Sequence, residues 1–583
     1  MCGIVGYVGK RCVENVLIEG LKSLEYRGYD SAGIALKNKD IQIIKSVGKI
    51  SCLEEKIQNS NIIKATMGLA HTRWATHGVV NEENAHPHTS GKVTIVHNGI
   101  IENASLLRDK LISEGVKFKS ETDTEVMAAL INKYYNGDVF YAIESAVKEV
   151  IGSYALGIIF EDRDELFAIR KDSPLILGVG KDECFIASDM IPIVKYTNKY
   201  MLLDEGEVAV ISNKGIDVYF NMKKIKKDIL EAAMELSDNG KSGYKHYMLK
   251  EINEEPVVLE NLINSFFESL DKIPNLNNYE EIHIVACGSA MYAGMIGKTL
   301  IEENTNVRVL CEVASEYRYK RILYDRKTLV ILISQSGETA DTIAAMRKAS
   351  ANNVETLAIV NVVGSTIARE STMQIYINAG VEVAVATTKA YILQVAVMSL
   401  LSALAAGKLD SLKKDLNKLP RYLKEVIDRR DNYKKIAKKI FNNEDIFFIG
   451  RKIDYAIALE GSLKLKEISY IHSEAYQAGE LKHGTISLID EDVPVISIVT
   501  DKDIREKSIS NIQEVKARGA KCIVISNEKI EGYDINIVVP ELSCFFQPLL
   551  IVPCLQLIAY EVAKLRGCDI DKPKNLAKSV TVE

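Results

Sequence analysis

A chain of 583 residues and 64.8 kDa is too long for one hydrophobic core, and domains of roughly 100–200 residues predict about three to five of them. Its 73 basic and 79 acidic side chains leave a net charge of −6 and a pI near 6.0, which gives no electrostatic reason to expect a nucleic-acid partner. With 47% hydrophobic and 26% charged residues, the composition is that of a globular protein and argues against disorder or fibrous structure.

Short β-like runs at 4–8, 93–96, 154–160 and 208–211, with helical stretches at 12–24 and 124–135, organise the region before residue 220. The polar segment 235–244 (ELSDNGKSGY) has linker composition, and an amphipathic helical stretch at 256–270 follows it. From residue 280 the pattern becomes strand, loop, helix. Apolar strands at 282–286, 329–333 and 356–360 have counterparts at 446–449, 494–499 and 521–525, offset by 164 or 165 residues. A constant offset predicts a duplicated unit. Alternating strands and helices imply parallel sheets covered on both faces, hence two similar doubly wound α/β domains joined through the charged helical region 409–440. The apolar run 390–406, interrupted by Gln394, Ser399 and Ser402, falls short of the ~20 residues of a membrane span and reads as a buried helix. The start, MCGIVGYVGK, lacks the basic region of a signal peptide. Ten cysteines without a CxxC pair suggest neither a zinc ribbon nor a disulfide framework. A cytoplasmic protein with no membrane partner is expected.

Cys2 sits between Met1 and Gly3. A small second residue permits removal of the initiator methionine. The exposed α-amino group, with a pKa near ~7.7–8.0, could then serve as base for the thiol of its own residue. On position alone, a small buried cysteine is the plainer reading. The surroundings change this. CGIVGY at 2–7, EYRGYDSA at 25–32, HTRWATHG at 71–78, HNGII at 97–101 and SETDTE at 120–125 together resemble the class II glutamine amidotransferases, whose N-terminal domain is an α+β Ntn-hydrolase. The resemblance covers 2–218. It implies that Cys2 attacks the amide carbonyl of glutamine while Asn98 and the backbone N–H of Gly99 hold the oxyanion. Arg73 offers a forked donor to the substrate carboxylate, Asp123 matches its ammonium, and Thr76 and His77 complete the pocket. Trp74 is implied to gate the route of ammonia, though core packing accounts for a lone tryptophan equally well. Amide hydrolysis needs this set of nucleophile, oxyanion hole and clamp. Five histidines between 71 and 97, with His86-Pro87-His88 among them, invite a metal reading. No carboxylate or cysteine cluster accompanies them at ligand spacing, and no metal is expected.

Ser334-Gln335-Ser336-Gly337-Glu338-Thr339 follows one apolar strand and precedes a helix, and Cys287-Gly288-Ser289 occupies the equivalent turn of the preceding strand. Hydroxyls and unpaired N–H groups at a helix N-terminus suit a phosphate, and plain N-capping would also place Ser or Thr there. With neither GxxxxGK[ST] nor GxGxxG, no nucleotide cofactor is expected. Glu460, Lys464 and Glu467 share one helical face, as ordinary surface ion pairs also do. Lys578 reads as a solvated tail lysine unless a depressed pKa makes it a nucleophile.

SQSGETADT, VEVAVATTKAY, EGSLKLKEISYIHSEA, GELKHG and the terminal NLAKSVTVE resemble the sugar isomerase (SIS) domains of glutamine-dependent ketose-phosphate aminotransferases, so the resemblance runs from Cys2 to Glu583. It implies a connector at 219–275, SIS domains at 276–415 and 438–573, and a tail, 574–583, completing the sugar site. Ser289, Ser334, Gln335, Ser336 and Thr339 would bind the sugar phosphate, and Val385 (by its backbone) and Thr387 the sugar. Lys578 would form a Schiff base with the C2 carbonyl and Glu467 would move a proton between C1 and C2. His483, from the second subunit of a homodimer, would assist ring opening; Glu460 and Lys464 line the same region. The implied substrates are glutamine and fructose 6-phosphate, the products glutamate and glucosamine 6-phosphate, with no cofactor. Two positions depart from the family pattern: Ser289-Ala290 where Thr-Ser is usual, losing a hydroxyl, and Thr387 where Ser is usual, adding a methyl. These leave open an aminotransferase for another ketose phosphate. A non-catalytic SIS sensor is a further alternative, although it would need none of Cys2, Glu467 and Lys578.

Overall fold

Ile4, Leu69, Val96, Ile159 and Ile186 are strand residues that pack together between two antiparallel sheets in the computed structural model, which describes residues 2–75, 77–231, 240–533 and 535–581. The first sheet has eight strands, ordered Leu230–Glu231, Lys199–Leu202, Ile176–Val179, Cys184–Ala187, Gly3–Val8, Met67–Arg73, Ser31–Lys37 and Ile41–Val47. The second has seven, ordered Lys223–Ile225, Gly215–Phe220, Val208–Ser212, Leu166–Lys171, Gly152–Phe160, Val93–Ile101 and His88–Ser90. Successive side chains of a strand point to opposite faces. Thus Ile4 faces the second sheet, while Val5 and Tyr7 face the helices Val13–Leu24 and Ile50–Gln58. The helices Ala104–Ser113, Asp123–Tyr134 and Val139–Glu149 cover the far side of the second sheet. The order of layers is helix, sheet, sheet, helix. This unit comprises Met1–Asn239 and, from the end of the chain, Ala577–Glu583.

The second unit, Gly240–Leu576, holds two five-stranded parallel sheets. One runs Arg308–Val313, Glu281–Ala286, Thr328–Ser334, Glu355–Val360, Met373–Tyr376, and the other His472–Gln477, Asp445–Gly450, Pro494–Val499, Lys521–Ser526, Ile535–Val538. Order and direction are the same in both, as a duplication requires. The helices Ser289–Asn304, Lys389–Ala405, Ile453–Ser469 and Pro548–Leu565 pack on one another, and one continuous apolar core runs through both sheets. The two α/β halves therefore fold as one unit. Even the turns match: Gly288 before Ser289–Asn304 has φ +56°, and Lys452 before Ile453–Ser469 has φ +52°.

One sequence expectation needs correction and two gain detail. The helix expected from Pro256 begins at Tyr247 and runs to Glu268, with Pro256 inside it. Proline removes one helical N–H, but Met248, Leu249 and Ile252 are buried ahead of it at helical spacing. The region 409–440 is two helices, Lys413–Asp428 and Arg430–Ile440. The 390–406 stretch is the buried helix Lys389–Ala405, as expected; among the described residues Pro548–Leu565 is the helix long and apolar enough to cross a membrane, and 89% of it lies buried within the unit. Positions 235–239 of the linker and Thr76 lie outside the described residues.

Candidate active sites

In the first unit, Cys2 ends one residue before the strand Gly3–Val8, Arg73 closes the neighbouring strand, and Asp123 opens a helix capped by the Thr122 hydroxyl. Cys2, Arg73, Trp74, His77, Gly99 and Asp123 line one small cavity of about 20 Å³. The Cys2 thiol accepts the Trp74 N–H at 3.4 Å and donates to the Trp74 carbonyl at 3.5 Å. Burial pushes the thiol up, against the pull of the Trp74 N–H and the Arg73 charge. Arg73 gives its guanidinium N–H groups to the carbonyls of His77, Gly78 (3.2 Å) and Val79 (3.4 Å). Asp123 accepts from the Ile101 N–H at 3.0 Å.

Asn98 does not line the cavity but reaches Cys2 itself. Its Nδ2 donates to the Cys2 carbonyl at 3.1 Å and to Ser188 Oγ at 2.8 Å, while its Oδ1 faces His71 Nε2 at 3.1 Å. Gly99 must be glycine: its φ is +145°, and a Cβ there would lie 2.1 Å from the Ser153 carbonyl. Four of the histidines are buried here, His86 and His97 in the cavity wall itself. His71 stacks on His86 with centroids 4.0 Å apart, Thr124 Oγ1 bridges His86 Nε2 (3.2 Å) and His97 Nδ1 (3.1 Å), and Thr122 Oγ1 meets His88 Nε2 at 3.2 Å. Burial drives all four rings down, His71 to about 3, so they are neutral supports.

In the second unit, Ala286 pairs with Ile333, so the turns at Ser289 and Ser334–Thr339 emerge side by side at the C-terminal ends of adjacent parallel strands, where open α/β sheets bind ligands. Ser334 Oγ lies 2.9 Å from Thr339 Oγ1 and accepts the Gly337 N–H at 3.0 Å; Ser336 Oγ accepts the Glu338 N–H at 3.1 Å. The Gln335 carbonyl accepts from Asn361 N–H at 3.1 Å. Lys464, fully buried, sits 2.6 Å from Glu467 and 3.5 Å from Glu460. Surface ion pairing is thus the wrong description of this helical face. Burial opposes the Lys464 charge, but the two carboxylates outweigh it and hold the ammonium above its usual value. Burial lifts Glu460 to about 7, with Lys464 pulling it down and Glu467 pushing it up. The Thr387 hydroxyl donates to Glu382 at 2.9 Å and the Val385 N–H to the Asp571 carbonyl at 3.0 Å, which leaves the Val385 carbonyl as its backbone group for a ligand. His483 is exposed on a short 3-10 turn. Lys578, half-buried, belongs to the first unit.

The SIS domain family matches residues 275–404 and 439–532, and the glutamine amidotransferase domain family matches 71–195. Along its whole length the chain is 46% identical to the glutamine–fructose-6-phosphate aminotransferase (isomerising) of Clostridium tetani and 43% identical to that of Thermus thermophilus, covering 100% of each relative. The chain belongs to the glutamine–fructose-6-phosphate aminotransferase (isomerising) family. A solved C-terminal domain of the Francisella tularensis glucosamine-fructose-6-phosphate aminotransferase aligns with 57% of the chain and 99% of itself, at 36% identity and a TM-score of 0.51. In this member of the glutamine–fructose-6-phosphate aminotransferase family, three site-building residues escaped the sequence reading. Ser188 accepts from both Asn98 and the Ile4 N–H, and no motif surrounds it. Glu251 accepts the N–H groups of Val383 (2.6 Å) and Ala384 (3.1 Å), and Glu382 those of Thr388 (2.9 Å) and Ala390 (3.0 Å). Two buried carboxylates thus hold the backbone on either side of Val385 and Thr387. Glu382 lies within the motif VEVAVATTKAY, and that position was its only sequence signal.

Proposed function

We propose that this chain transfers the amide nitrogen of glutamine to fructose 6-phosphate and isomerises the adduct to glucosamine 6-phosphate, releasing glutamate. The observation that carries this is the presence, in one polypeptide, of a part-buried thiol in a cavity shared with Arg73, Asp123 and Gly99, with Asn98 bonded to the Cys2 carbonyl, and, in the other unit, of paired hydroxyl-rich turns and the Glu460–Lys464–Glu467 cluster. The first unit acts as an N-terminal-nucleophile hydrolase. Cys2 attacks the amide carbon, the oxyanion rests on Asn98 and the Gly99 N–H, ammonia leaves, and water hydrolyses the thioester to glutamate. Arg73 exchanges its loop carbonyls for the substrate carboxylate, Asp123 takes the ammonium, and Thr76 and His77 complete the pocket. Trp74 gates the passage of ammonia. In the second unit Ser289, Ser334, Gln335, Ser336 and Thr339 hold the phosphate. The Val385 carbonyl, Thr387, Glu460 and Lys464 contact the sugar. Lys578 forms the Schiff base at C2, and Glu467 carries the proton between C1 and C2. His483 reaches the site from the partner in a cytoplasmic homodimer.

The test uses glutamine labelled with heavy nitrogen at the amide, together with fructose 6-phosphate. Glucosamine 6-phosphate carrying the label is the expected product, and a Cys2→Ala chain should make none from glutamine. Label recovered only as ammonium, or incorporated only when another ketose phosphate is supplied, would overturn the assignment, as would sugar-phosphate binding without turnover.

A further inference from the structure

His71 stands on the strand Met67–Arg73 of the first sheet and reaches across to Asn98 on the strand Val93–Ile101 of the second. Its Nε2 faces two acceptors, the His97 carbonyl at 3.0 Å and Asn98 Oδ1 at 3.1 Å. A ring nitrogen between two acceptors must carry the hydrogen, which fixes the tautomer. Nδ1 is buried with no hydrogen-bond partner, against the face of His86.

The consequence falls on Asn98. An amide can present its NH₂ or, rotated by half a turn, its oxygen. Ser188 Oγ, 2.8 Å from Nδ2, is a hydroxyl that can accept from the NH₂ or donate to the oxygen, so it does not choose between the two. Two contacts oppose rotation: the Cys2 carbonyl, which accepts from Nδ2, and His71, which donates to Oδ1. When Nδ2 turns from the Cys2 carbonyl to a developing oxyanion, the first contact is given up. Only His71 then keeps the amide oxygen away from the negative charge. We propose that His71 is a positioning residue for amide hydrolysis, acting through Asn98 to keep the NH₂ group, and not the oxygen, turned toward the oxyanion. This rests on the reading of Asn98 as an oxyanion donor. The proton on Nε2 persists because burial holds the imidazole neutral, and a neutral ring with Nδ1 unpartnered has no competing tautomer of equal merit.

The test is a double-mutant cycle on glutamine hydrolysis by the full-length chain. Loss of one oxyanion donor costs about 100-fold to 1,000-fold in kcat. His71→Phe, which fills the space without donating, should lower kcat by roughly 100-fold while KM for glutamine changes by less than about threefold. His71→Gln, whose own amide can donate to Asn98 Oδ1, should recover to within about tenfold of the parent chain. In an Asn98→Ala background, His71→Phe should bring no further fall, since its effect passes through Asn98. Should the Phe chain not fold, His71→Met, apolar and flexible, takes its place against His71→Gln. Additive losses in the double variant, a KM that rises as far as kcat falls, or no rescue by His71→Gln in a chain that melts at the parent temperature would each overturn the proposal. An Asn98→Ala chain with unchanged kcat would instead overturn the oxyanion reading, and the proposal with it.

Discussion

Glu460 shows what a buried residue does to a proton. Burial lifts its carboxyl to about 7, well above the ordinary carboxylate range. Between pH 4.5 and 7 the folded chain therefore keeps a proton that the unfolded chain has released. Unfolding in that window releases the proton, so stability falls as pH rises through it. From pH 5 to 7.5 this slope is worth about 2 kcal/mol, and Glu460→Gln should remove it. Urea unfolding of both chains at the two pH values checks this; equal slopes would mean the proton sits elsewhere. The i, i+4, i+7 spacing of Glu460, Lys464 and Glu467 was legible in the sequence, but their burial was not. A charged helical face normally points to water, and only the packing of Ile453–Ser469 against Ser289–Asn304 and Pro548–Leu565 turns it inward. The five N-terminal motifs gave Cys2, Arg73 and Asp123 because a nucleophile and a charge clamp leave chemical signatures. Ser188 left none: a lone serine becomes part of a site only when a strand from elsewhere in the sheet brings it to Asn98.

Among the elements, the helix Tyr247–Glu268 does the least visible work. Its apolar periodicity is readable, but Pro256 reads as a start, whereas tertiary packing of Met248, Leu249 and Ile252 extends the helix N-terminally past it. That extension carries Glu251, 2% exposed, to the N–H groups of Val383 and Ala384. A buried carboxylate bonded to two backbone donors contributes about 1.5–3 kcal/mol per bond to holding that geometry. Glu251→Ala should loosen the segment bearing Val385 and Thr387. The Michaelis constant for fructose 6-phosphate should rise at least about tenfold, with glutamine hydrolysis unaltered because Cys2 lies in the other unit. An unchanged sugar KM would mean that the segment holds its shape without this carboxylate. Strand and helix alternation was legible from 280 onward because a doubly covered parallel sheet demands continuous apolar runs. That the two halves share a core was not, since periodicity reports which face is apolar and not what lies against it.

At the scale of the whole molecule, His483 is exposed in the single chain while Glu467 is four-fifths buried beside Lys464. If one chain supplies each to a shared site, mixing Glu467→Gln chains with His483→Ala chains should give heterodimers with one intact and one doubly damaged site. Synthetic activity should then return to about a quarter of the parent level for random exchange of subunits that are each inactive alone. Gel filtration and mass spectrometry would verify the exchange, and continued inactivity afterwards would place both groups within one chain.

The paired turns at Gly288 and Lys452 do different work in the two halves of the second unit. Both hold the same left-handed backbone, φ +56° and +52°, though lysine is sterically ill-suited to it. The first copy has glycine there, with no side chain in the bend. The second copy fills the same bend with an ammonium that grips Glu303 of the first copy at 2.7 Å and Asp501 at 3.2 Å. The second half thus uses the shared bend to carry a cation that ties it to the first half. One backbone geometry, repeated in both halves, serves in the second as an anchoring post between them.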